Sequence, residues 1–151
     1  MSITTYDELK SSIADFLNRD DLTSVIPTFI SLAEADMNRK LRHWRMERRS
    51  NATVDTQYTA LPTDFVEAVR IMLTTPSVQR LELITNSELM DKRATSETAG
   101  TPTHYALVDG SLEVYPTPDQ NYTMEMVYYS RIDTLSASTS TNWVLTYSPD
   151  A

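Results

Sequence analysis

Two periodicities that no single element can share divide this chain. Val25, Ile26, Phe29, Ile30, Ala33, Met37 and Leu41 recur at the three- and four-residue spacing of one helix face. Tyr122, Met124, Met126 and Tyr128 alternate with a period of two, which puts them on one face of a strand. A chain holding both patterns in separate stretches folds as α+β. The helical pattern covers residues 5–45, a mainly β pattern covers 46–132, and 133–151 is expected as an extended C-terminal segment. The whole, residues 1–151, has the length of a single domain.

Within the helical part, Thr5 followed by Glu8 is a capping-box start, and Leu9, Ile13, Phe16 and Leu17 follow at helical spacing. After a polar turn at 18–21, the second helix is longer. Pro27 suits its first turn, where the missing N–H costs nothing. Its acids, Glu34 and Asp36, precede a basic end, the order that suits the helix dipole. The expected fold is an N-terminal helical hairpin packed with a small, mostly antiparallel sheet.

The β part opens with a polar edge strand at 47–54. A turn at Pro62-Thr63-Asp64 precedes a buried strand at 68–73, and a further strand is expected at 80–84. Asn86 or Ser87 then caps a short helix to about Arg93. Asp109-Gly110 between two apolar runs is a strong signal for a two-residue hairpin. The strand at 122–129 would complete a three-stranded antiparallel meander. Ser148-Pro149-Asp150 reads as a helix start with only Ala151 behind it, so a further C-terminal helix, missing or truncated here, is expected.

Composition excludes much chemistry. There is no cysteine, so disulfides, thiolate catalysis and Cys-ligated zinc are out. Gly100 and Gly110 are the only glycines, too few for a phosphate-cradling loop. His43 and His104 are the only histidines, and neither stands beside a nucleophile elbow. The close pairs Asp7/Glu8 and Asp20/Asp21 look like helix-start and turn residues, so a hydrolase built on scattered carboxylates has no motif behind it. No catalytic residue, metal site or cofactor is expected. No run approaches the about 20 apolar residues of a membrane helix, and no signal peptide is read at the start.

The net charge of −8 opposes non-specific binding to nucleic acid over most of the surface. Yet Arg39, Lys40, Arg42, Arg45, Arg48 and Arg49 gather six of the 13 basic residues into one stretch, with Trp44 among them. Arg39, Arg42 and either Arg45 or Met46 would share a helix face. Such a cluster could contact phosphates without reading sequence. It could equally pair with acidic groups of a neighbouring subunit, an asymmetry that suits head-to-tail contacts in a ring. Trp44 could stack on arginine, anchor an interface, or lie in the core.

Four segments in order carry a resemblance. The first is residues 29–42, a long helix ending in an acid-to-Asn-Arg pattern. The second is Tyr58-Thr59-Ala60-Leu61-Pro62-Thr63-Asp64-Phe65, and the third is residues 100–118, with Gly-x-Pro-x-x-Tyr leading into Tyr-Pro-x-Pro. The fourth is 122–129 followed by the approach from Asn142 to Asp150. Together they resemble bacteriophage head-to-tail connector adaptor proteins over about residues 3–151. The resemblance implies a non-enzymatic virion protein at the head–tail interface, assembled in the host cytoplasm. It implies a homo-oligomeric, dodecameric ring that binds the portal protein and a tail or nozzle protein and extends the channel for genomic DNA. Arg39, Lys40, Arg42, Trp44, Arg45, Arg48 and Arg49 are then candidate inter-subunit, portal or DNA-facing contacts. The alternative is a nucleic-acid-binding module using the stretch from Arg39 to Arg49.

Overall fold

A computed structural model of the chain describes residues 3–19 and 21–147. The chain is α+β and forms two compact units. One comprises residues up to Met46 together with those from Arg131 onward, and the other comprises Glu47–Ser130.

In the first unit, helix α1 is Tyr6–Leu17 and helix α2 is Ile26–Lys40. The expected capping box starts α1. Thr5 Oγ1 accepts the Glu8 N–H at 3.3 Å, and the Glu8 carboxylate accepts the Thr5 N–H at 3.0 Å. Those backbone and hydroxyl donors, Thr4 first among them, hold the Glu8 carboxyl below its ordinary pKa. Asn18 ends α1 in the left-handed conformation that asparagine tolerates. Helix α2 begins without a side-chain cap, with Pro27 in its first turn as expected. It ends earlier than expected, because Leu41 is already extended. A single 3-10 turn, Trp44–Met46, follows.

The C-terminal segment returns to these helices through specific bonds. Leu135 N–H donates to Glu34 Oε1 at 2.9 Å, and Ile132 N–H donates to Asn38 Oδ1 at 2.8 Å. Tyr6 N–H donates to Ser140 O at 2.7 Å. A short helix α4, Trp143–Tyr147, closes the unit. Buried Asn142 accepts the Leu145 N–H and donates to Asp133 O. The apolar cluster is built from Tyr6, Ile26, Ile30, Leu135 and Leu145. The helix start at Ser148 lies outside the described residues.

The second unit has two four-stranded sheets. One holds β1 (Glu47–Val54), β3 (Phe65–Thr75), β4 (Gln79–Arg80) and β8 (Tyr122–Ser130), in the order β1-β8-β3-β4, all antiparallel. The other holds β2 (Tyr58–Ala60), β5 (Glu82–Leu83), β6 (His104–Val108) and β7 (Ser111–Tyr115), in the order β2-β7-β6-β5. There β5 runs parallel to β6. The 47–54 strand is an edge strand as expected, and Asp109 and Gly110 both take positive φ in a two-residue turn.

Two expectations fail here for topological reasons. The strand expected at 80–84 is split at Leu81, which is 2% exposed. Leu81 N–H donates to Ile71 O, while Glu82 N–H donates to Thr103 O. The chain therefore changes sheets at this residue, and Leu81 drops into the core. The meander also fails: β8 does not pair with β7 but lies between β1 and β3 in the other sheet. The proline-broken link after Tyr115 allows that crossing. The alternation of β8 is as read, with Tyr122, Met124, Met126 and Tyr128 all buried. They join Ile71, Leu73, Leu112 and Val114 in one core between the sheets.

Helix α3, Asn86–Thr95, is capped by Thr85, one residue before the expected cap, with Glu88 completing the box. Arg93 ties it to the sheet. Its guanidinium donates to Glu113 Oε1 at 3.0 Å, to Val114 O at 2.7 Å and to Thr117 Oγ1 at 3.0 Å.

Candidate functional site

The basic stretch is divided between the two units, and its members have different surroundings. Arg39 and Lys40 both reach back to Asp36, at 3.2 and 2.7 Å. Their charges, Lys40 foremost, hold the Asp36 carboxyl below its ordinary pKa. Arg42 folds onto the end of α2, donating to Asn38 O at 3.2 Å and Leu41 O at 2.8 Å. These are carbonyls that a helix end leaves in need of donors. Because α2 stops at Lys40, the helix face expected to carry Arg39, Arg42 and Arg45 or Met46 does not exist.

Arg45 lies instead in the 3-10 turn. Its guanidinium carbon is 3.7 Å from the Tyr147 ring centroid and 4.5 Å from that of Trp44. Both rings are exposed, Trp44 by 65% and Tyr147 by 61%. Trp44 is therefore not a core residue. Behind it, His43 stacks on Trp143 with centroids 5.1 Å apart, and its Nδ1 accepts the Arg45 N–H. His43 is thus a helix-end organiser of this aromatic group.

In the second unit, Arg48 and Arg49 are neighbours on β1, so they point to opposite faces of the sheet. Arg48 pairs with Asp64 at 3.1 Å, and Arg49 lies 3.7 Å from Glu125. Asp64 also accepts the Tyr128 hydroxyl at 2.9 Å. Burial, then that carboxylate, raises the Tyr128 pKa. His104 Nδ1 is held by the Thr103 hydroxyl at 2.7 Å.

Sequence reasoning passed over a second feature. An open groove of about 210 Å³ runs along the first unit, between α1, α2 and the C-terminal segment. Leu9, Ile13, Phe29, Met37 and Val144 give it apolar walls, and Glu34 lies among them. Glu34 is 4% exposed. Its Oε1 takes the Leu135 N–H, whereas its Oε2 is buried with no hydrogen-bond partner. Burial pushes its carboxyl pKa up, against the smaller opposing effect of the Leu135 N–H. One signal could have found it: Glu34 falls four residues after Ile30 and three before Met37, inside the apolar stripe.

Among the described residues no cluster of His, Asp or Glu could hold a metal ion, and no helix is long and apolar enough to cross a membrane. Comparison with curated proteins finds no match. The SU10 adaptor protein family matches residues 4–151, nearly the whole chain and both units. The chain belongs to that family, the SU10 adaptor proteins, and is a bacteriophage head-to-tail adaptor.

Proposed function

We propose that this protein is a non-enzymatic virion component that assembles as a dodecameric ring, joins the portal to the tail, and extends the channel through which genomic DNA passes. The observation that carries this reading is the match to the SU10 adaptor family across residues 4–151. In it, both compact units serve as one adaptor module.

A ring with rotational symmetry needs two dissimilar, complementary patches on each subunit. Arg39, Lys40, Arg42, Trp44, Arg45, Arg48 and Arg49 are the proposed contacts to neighbours, portal or DNA. Trp44, Arg45 and Tyr147 are the best suited to an anchor, because two exposed rings already hold a guanidinium between them. The local ion pairs of Arg39, Lys40, Arg48 and Arg49 favour this protein-contact role over a dedicated nucleic-acid module.

The test is the mass of the purified protein in solution, alone and then mixed with a portal ring. A subunit that joins the portal in fixed stoichiometry is the expected result. A monomer or dimer that ignores the portal would refute the reading. Charge reversal at Arg39 plus Arg42 is expected to weaken assembly, and unchanged rings would remove those residues from the interface.

A further inference from the structure

The groove of the helical unit is incomplete in two respects. Its apolar walls are open, with Phe29 49% exposed at the rim. Its carboxylate is half satisfied, since Glu34 Oε2 is buried without a partner. A buried acceptor left unmatched in this way destabilises the unit until a donor reaches it. Among the described residues no lysine or arginine lines the groove, and in the same unit Lys10 pairs with Asp7, and Arg39 and Lys40 pair with Asp36.

We propose that this groove receives a segment of an assembly partner in which a lysine or arginine is flanked by apolar residues, its N–H groups reaching Glu34 Oε2. The chemistry selects this occupant. A purely apolar segment would fill the walls but seal the carboxylate away without a donor. An acidic segment would place like charges together. A basic side chain supplies an apolar stem for the walls and a charged donor for the oxygen. Burial already holds the Glu34 carboxyl above its ordinary pKa, and a seated cation would bring it back down. The incoming group must part the apolar lining to reach Oε2.

That the occupant is an assembly partner rests on the adaptor reading above, whereas the preference of the groove for a cation does not. The test uses the full chain and three probes of similar length: n-hexylammonium, hexanol and hexanoate. Methyl signals of Ile30, Leu135 and Leu145 report the groove by NMR. Saturable shifts with hexylammonium, about tenfold weaker in Glu34→Gln and absent with hexanoate, are expected. Equal binding of hexanol and hexylammonium, or binding of neither, overturns the proposal. Co-sedimentation with the portal ring is run in parallel. A chain that binds hexylammonium but ignores the portal keeps the cation site and refutes the adaptor reading. Concentration-dependent self-association that Glu34→Gln abolishes would give the groove to a second copy and overturn the separate partner.

Discussion

Glu34 Oε1 accepts the backbone N–H of Leu135 at 2.9 Å, a bond between residues 101 positions apart in the chain. It ties the C-terminal segment to the middle of α2 while leaving the other carboxylate oxygen buried and unmatched. One side chain therefore both closes the helical unit and weakens it.

The ionised form of Glu34 is the costly one, so the native state keeps its proton to a higher pH than the unfolded chain does. Stability from this group is complete below the ordinary carboxylate range and is lost as pH rises through the raised native value. Glu34→Gln keeps an acceptor for Leu135 and removes the charge. It is expected to gain about 1 kcal/mol at mildly alkaline pH, roughly 3 °C in Tm, with the difference closing in acid. Thermal melts across pH check this. Glu34→Ala, which strands the Leu135 N–H, is expected to destabilise by about 1–3 kcal/mol.

Arg93 and Glu113 form a nearly buried pair, with side chains 11% and 9% exposed. Removing one partner leaves the other a nearly buried charge without its counter-charge, although Gln57 still donates to Glu113 and Arg93 still reaches Val114 O and Thr117. Arg93→Ala is expected to cost about 3–5 kcal/mol, and the double change Arg93→Met plus Glu113→Leu is expected to recover a large part of it. Urea denaturation of the wild type and the two variants gives the answer. A double variant no more stable than the single one would contradict it.

Thr85 accepts the Glu88 N–H and starts α3. Thr85→Ala is expected to cost about 1 kcal/mol. Leu112 is fully buried between the sheets, and Leu112→Ala is expected to cost about 2–5 kcal/mol. Val78, 71% exposed, is the control: its change to alanine should stay within about 0.5 kcal/mol. Equilibrium unfolding ranks the three.

Trp44 is exposed, so Trp44→Ala is expected to leave stability within about 0.5 kcal/mol. On the adaptor reading it weakens association with the portal or with neighbouring subunits. Melting temperature and co-sedimentation, measured on the same sample, separate the two effects.

Local chemistry made several features legible in the sequence. Thr5 with Glu8, Pro27 in the first turn of α2, the Asp109-Gly110 turn and the alternation of Tyr122 to Tyr128 each depend on residues within one turn or one strand of each other. These were enough for α+β and for the two stretches that carry it. The same local reasoning placed the six basic residues together, because adjacency in sequence was all it had.

Tertiary structure decided what adjacency cannot. Leu81 divides an apparent strand because two sheets compete for it, each offering a carbonyl to one of two successive N–H groups. β8 leaves its sequence neighbours because its two edges are paired by β1 and β3, whose register partners lie 48 to 82 positions away. Arg39 to Arg49 separate because α2 ends at Lys40 and β1 begins at Glu47. Glu34 becomes buried because Leu135 returns from the far end of the chain to cover it. The sequence alone determined the elements, whose bonds and apolar faces are set by near neighbours. Long-range pairing decided which acid is buried, which arginines are held by local acids and which surfaces stay open.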